Sequence, residues 1–166
     1  GRLRAISAPP LPPVKATQVF RCELVNANVE AKSVIEGLKQ SGEGRLCLYG
    51  PPGTGKTAFA RHMAEELNLE AHVKRGSDIR SMWVGETERN IARMFTDANR
   101  DRAVLILDEA DSFLSGRSGR NQRWEMNEVS EFLVQLENFQ GIFCATTNRF
   151  EDLDPAFIRR IDLKIK

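Results

Sequence analysis

The stretch RLCLYGPPGTGKT, Arg45 to Thr57, restricts what this chain can fold into more than any other. A short apolar strand, Arg45–Tyr49, runs straight into G-x-x-x-x-G-K-[ST], the spacing of a phosphate-binding loop. Gly50, Gly53 and Gly55 permit backbone angles that bulkier residues resist, so successive N–H groups can turn toward one anion. A helix starting near Lys56 adds its unpaired N–H groups and the positive end of its dipole. Ala60, Met63, Ala64 and Leu67 then recur at helical spacing, over about Lys56–Leu67. A plain Gly-Pro turn before an ordinary helix does not explain strand, loop and helix arriving in that order. The residues expected to line a nucleotide are Gly50, Pro51, Pro52, Gly53, Thr54, Gly55, Lys56, Thr57 and Ala58. Lys56 would reach the β- and γ-phosphates, and the Thr57 hydroxyl would sit on Mg²⁺.

The remaining chain supplies the sheet and helices such a loop needs. Asn28–Gln40 reads as a helix with Val29, Val34, Ile35 and Leu38 on one face, closed by Ser41-Gly42-Glu43-Gly44. Glu70–Lys74 reads as a second strand, residues 76–86 as a loop, and Thr87–Asn99 as a helix with Ile91, Phe95 and Ala98 inward. Ala103–Leu107 (AVLIL) is an unbroken apolar run, the sign of a strand buried on both faces of a parallel sheet. Residues 115–123 read as an exposed loop, and Trp124–Glu137 as a helix with Met126, Val129, Leu133 and Leu136 inward. Gly141–Thr146, the turn Pro155–Arg159 and Asp162–Ile165 complete the series. Alternating strands and helices predict a three-layer α/β/α sandwich with right-handed crossovers.

The 166 residues suffice for one domain with a substantial core. Residues 1–19, with Pro9, Pro10, Pro12 and Pro13, read as a linker or arm, and the domain occupies 20–166. A net charge of +1 gives no global attraction to nucleic acid or anionic membrane. No run approaches a membrane span and no signal peptide is visible. The three cysteines, Cys22, Cys47 and Cys144, lack metal-ligand spacing; reduced thiols in apolar strands point to the cytoplasm. The start at Gly1 and the finish in LKIK suggest a piece of a longer protein.

A second constellation follows AVLIL. Asp108 and Glu109 stand at the carboxyl end of that strand, where open parallel sheets bind ligands. Asp108 suits a carboxylate holding hydrated Mg²⁺, through water. Glu109 suits a base that polarises water for attack on the γ-phosphorus. Asp111 and Ser112 suit capping or bracing. The letters D-E-A-D also occur in a family of RNA helicases, but those need a second domain for which this chain has no length.

From about residue 20 onward the chain resembles the AAA ATPases. LYGPPGTGKT looks like their Walker A, LILDEADS their Walker B, SMWVGETERNIARMF their pore loop and following helix, and ATTNRFEDLDPAFIRRIDLKI their second region of homology. The resemblance implies a five-stranded sheet in the order 5-1-4-3-2. It implies that Asn148 is a polar sensor that holds the attacking water, and that Arg159 and Arg160 are arginine fingers offered to a neighbouring subunit. That in turn implies a homo-oligomeric ring, usually a hexamer when full length. The adjacent pair lacks the P-G spacer of many members and looks more like the form in the severing and membrane-complex disassembly branch and in some bacterial members. Trp83, Val84 and Gly85 match the loop that grips a polypeptide in the pore, and 115–123, with Arg117, Arg120 and Arg123, falls where a second pore loop lies. Val25 and Asn26 fall where the adenine pocket begins. The family's C-terminal helical lid is not in this chain, so the resemblance implies weak nucleotide binding and assembly for this piece alone. The expected function is Mg-dependent ATP hydrolysis that remodels, unfolds or disassembles protein substrates. A nucleic-acid motor or loader, and a nucleotide-binding assembly module that does not hydrolyse, are the alternatives.

Overall fold

A computed structural model describes residues 31–80, 85–115 and 122–166, with side chains of the last stretch described from 126 onward. The Pro-rich arm, Cys22, Val25, Asn26, Trp83, Val84, Arg117 and Arg120 lie outside the described residues, as does the side chain of Arg123. The described elements are α1 (Ala31–Ser41), β1 (Gly44–Tyr49), α2 (Lys56–Glu66), β2 (Ala71–Arg75) and α3 (Glu86–Asp101). They continue with β3 (Val104–Asp108), α4 (Gln122–Asn138), β4 (Ile142–Thr147), α5 (Pro155–Ile158) and β5 (Leu163–Ile165). Short 3-10 turns form at Gly76–Asp78, Ala110–Ser112 and Phe150–Asp152, the first within the stretch 76–86 that reads as a loop.

The five strands form one parallel sheet in the order β2-β3-β4-β1-β5, which is the expected 5-1-4-3-2 taken from the other edge. Alternation along β3 explains why its run is unbroken. Leu105 and Leu107 face a core built with α3 and α4, whereas Val104 and Ile106 face a core built with α1 and α2. All four are fully buried, so a polar residue at any of them would lose its water on either face. Phe95, Phe132 and Phe143 form edge and stacked ring contacts in the first core, an arrangement suited to ring quadrupoles.

One inward assignment is corrected. Met126 is 63% exposed, although it lies one heptad before the buried Leu133. The period is right but the cover runs out. The first buried positions described on α4 are Glu128 and Val129, so Met126 lies before the buried part of the helix. The buried stripe is instead Val129, Phe132, Leu133 and Leu136.

Candidate nucleotide site

β1 ends at Tyr49, and the chain must turn sharply to enter α2. Gly53 (φ +80°) and Gly55 (φ +87°) take left-handed angles in that turn, where a Cβ would be strained. Phe59 N–H donates to Gly55 O at 2.8 Å, so helical bonding begins at the loop itself. The N-terminal N–H groups of α2 are therefore open toward the loop.

Lys56 Nζ folds back and donates to Pro51 O at 2.7 Å, Gly50 O at 3.0 Å and Thr54 Oγ1 at 3.2 Å. Partial burial lowers its pKa, an effect opposed by the Asp108 carboxylate. A partly buried ammonium held on neutral oxygens of an otherwise exposed loop is a site that can take negative charge. Phosphate oxygens supply it.

The second wall comes from the ends of β3 and β4. Asp108 Oδ1 accepts from Thr57 Oγ1 at 2.9 Å and from Thr146 Oγ1 at 2.5 Å. Thr146 Oγ1 also accepts from the Glu109 N–H at 3.3 Å. Glu109 itself is in the left-handed region at φ +52°, a strained angle for a residue with a Cβ. It caps the turn that starts at Ala110. Beside it, Thr147 Oγ1 donates to Asp111 Oδ1 at 2.6 Å and accepts the Arg149 N–H at 2.9 Å. That pair of bonds fixes the turn presenting Asn148, in keeping with a bracing role for Asp111. Tyr49 stacks on Phe150 with ring centroids 4.3 Å apart, tying the two walls together.

These residues meet on one cavity of about 320 Å³. Lys56, Thr57 and Ala58 line one side, and Asp108, Glu109, Thr146, Thr147 and Asn148 the other. A smaller pocket of about 80 Å³ continues from Gly55 and Lys56 toward Tyr49, Phe59 and Ile165. Thr57 and Asp108, an oxygen pair at the loop, have the hard donors that Mg²⁺ takes. Three contributors escaped sequence reasoning. Thr146 and Thr147 were visible only as two hydroxyls in an otherwise apolar strand. Gly76 looked like a loop residue, yet a Cβ there would stand 2.4 Å from Glu109 O.

The two arginines are not equivalent. They follow α5, whose N-cap Asp154 accepts the Ala156 N–H at 2.8 Å. Arg160 Nε is bound to the Glu137 carboxylate and its other arm donates to Ala156 O at 2.7 Å. Arg159 is exposed, and its side chain has no partner among the described residues. Gly85, at φ +79°, caps the start of α3.

The fold and the site define a class: a P-loop nucleotide-binding domain of the three-layer α/β type. Within that class, a family model described as "ATPase family associated with various cellular activities (AAA)" matches residues 46–166. The chain belongs to the AAA ATPase family. It is 33% identical over 139 residues (80% of this chain, 20% of that protein) to the ATPase family AAA domain-containing protein FIGL1 of Arabidopsis thaliana. It is 34% identical over 146 residues (80% and 31%) to a probable spastin homologue of Brugia malayi. To protein CdcH of Halobacterium salinarum it is 41% identical over 120 residues (69% and 16%). The chain thus spans less than a third of each of these relatives' lengths. Among the described residues, no helix is long and apolar enough to cross a membrane.

Proposed function

We propose that this chain is the Mg-ATP-hydrolysing core of a ring-forming machine that remodels protein substrates through a central pore. The observation that carries the hydrolytic part is the convergence of Lys56, Thr57, Asp108, Glu109 and Asn148 on one cavity at the carboxyl end of the sheet. The loop N–H groups and Lys56 bind the phosphates of ATP, exchanging neutral carbonyls for charged oxygens. Thr57, and Asp108 through water, would hold Mg²⁺, which when bound would supply positive charge to offset that of the phosphates. Glu109 accepts a proton from the attacking water, and Asn148 orients that water with its side-chain amide. Arg159 offsets charge on the transferred phosphoryl group of a neighbouring subunit.

Support for the remodelling part comes from how the segment before Trp83, Val84 and Gly85 is anchored. Arg80 pairs with the buried Glu128 at 2.7 Å, donates to Phe113 O at 3.3 Å, and lies 5.0 Å from the centroid of the Phe113 ring. Phe113 caps the turn that follows Asp108 and Glu109. The base of the proposed substrate-gripping segment is thereby joined to the proposed catalytic turn. Trp83→Ala should spare ATP turnover and abolish substrate processing.

Two substitutions test the chemistry. Lys56→Ala should abolish ATP binding, while Glu109→Gln should keep binding and stop hydrolysis. Equilibrium binding and single-turnover hydrolysis separate them. Equal loss of binding in both would remove Glu109 from the role of base.

A further inference from the structure

Far along the sheet from the phosphate loop, the β2 edge carries a cluster that nucleotide chemistry does not use. Glu70 and His72 are two residues apart on an extended chain, so their side chains fall on one face. Asp101, the last residue of α3, meets them there. His72 Nε2 is 3.2 Å from Asp101 Oδ2 and 3.8 Å from Glu70 Oε1. The three ligand atoms lie within 4.8 Å of one another.

The backbone holds these groups in place. Val104 N–H donates to Glu70 O at 2.8 Å, and His72 pairs with Leu105 across the β2–β3 ladder. Arg102 takes the left-handed angle φ +53°, and Ala103 N–H donates to Ala98 O at 2.9 Å, which fixes the end of α3 beside β2. The donor set then suits a cation. Two carboxylates converge on one imidazole nitrogen, and Asp101 also stands at the negative end of a helix dipole. Arg100 answers part of that charge: it donates to Asp101 Oδ1 at 3.0 Å and Oδ2 at 3.4 Å and pairs with Asp97 at 3.2 Å, so a cation on Asp101 competes with this two-thirds-exposed guanidinium.

We propose that Glu70, His72 and Asp101 form a site for a borderline divalent cation of the Zn²⁺ class, which pins edge strand β2 to the end of α3. One imidazole and two carboxylates suit such an ion. Bonds of about 2.0–2.2 Å in tetrahedral geometry place ligand atoms roughly 3.4 Å apart, close to the spacing seen. Glu70, half-exposed, closes the remaining gap by a rotamer change, and water completes the shell.

The test uses Co²⁺ titrated into the nucleotide-free chain in excess Mg²⁺, followed by imidazole NMR. The chain has only two histidines, His62 and His72, so each signal can be assigned. The His72 resonance should shift or broaden at substoichiometric Co²⁺ while that of His62 does not, and Zn²⁺ should displace the Co²⁺. Glu70→Gln and Asp101→Asn should each weaken Co²⁺ binding by roughly tenfold or more, with other amide signals unmoved. Arg100→Ala should tighten it. A His72 signal indifferent to saturating Co²⁺ would overturn the site. Equal affinity in wild type and both carboxylate variants would overturn it too.

Discussion

Asp108 Oδ1 receives two hydroxyl donors, from Thr57 in the loop helix and Thr146 at the end of β4. Only the first belongs to the phosphate-loop pattern. Thr146 is buried, and it links Asp108 to the Glu109 backbone by accepting that N–H while donating to the carboxylate. Its hydroxyl therefore sets where both acidic side chains start. Hydrogen bonds to a charged group contribute about 1.5–3 kcal/mol, so Thr146→Val, which keeps the shape, should cut kcat roughly tenfold or more. The KM for ATP should change little, because the loop contacts are intact. Thr146→Ser should restore turnover. A Val variant as fast as wild type would reduce Thr146 to packing.

At the scale of elements, the turn after β2 presses against the proposed catalytic turn. A Cβ at Gly76 would stand 2.4 Å from Glu109 O and 3.3 Å from Phe113 N, both backbone atoms that cannot swing aside. Gly76→Ala should therefore push Glu109 off its position and lower kcat roughly ten- to hundredfold, with nucleotide affinity retained. Loss of affinity in parallel would mean the whole turn had unfolded. The central strands carry a different signature. Cys47 and Cys144 sit on neighbouring β1 and β4 but belong to opposite cores, so they cannot pair with each other. Burial pushes the Cys47 thiol up to about 12, and Cys144 higher still, with its neighbour thiol adding to the rise. Above the ordinary thiol value of 9.0, unfolded chains release these protons and folded ones keep them. Stability should thus fall as pH rises from about 9 toward 12, and the fall should be shallower in Cys47→Ala by denaturant midpoints. The same burial explains what was legible in the sequence. β3 is covered on both faces and reads as an unbroken apolar run, and the loop glycines announce angles that only they take cheaply. Gly76, Thr146 and the exposed Met126 were not legible, because their roles depend on partners 33 or more residues away or on where along a helix burial begins. Spacing along one chain does not encode either.

For the whole molecule, the question is whether one chain holds a complete hydrolytic site. Within the described residues the cavity offers Lys56 as its cation, and neither Arg159 nor Arg160 lines it. The two arginines also differ in availability. Arg160 is bound to Glu137 and the Ala156 carbonyl, which joins α5 to the end of α4, whereas Arg159 is exposed. On the proposed function the adjacent pair would divide its work: Arg160 fixes the segment, and the exposed Arg159 would be the one offered to a neighbouring subunit. ATP turnover per chain in the full-length protein should rise with concentration as sites are completed in trans. Arg159→Ala should remove that rise, with a loss of roughly 10³-fold at saturation, while the melting temperature stays unchanged. Arg160→Ala should instead lower the melting temperature slightly, as expected for a partly exposed ion pair, and reduce turnover only through the position of Arg159. Turnover independent of concentration would show a site complete in one chain. The reverse pattern, with Arg160→Ala inactive and Arg159→Ala spared, would mean that the Glu137 clamp opens on assembly and that Arg160 is the residue delivered.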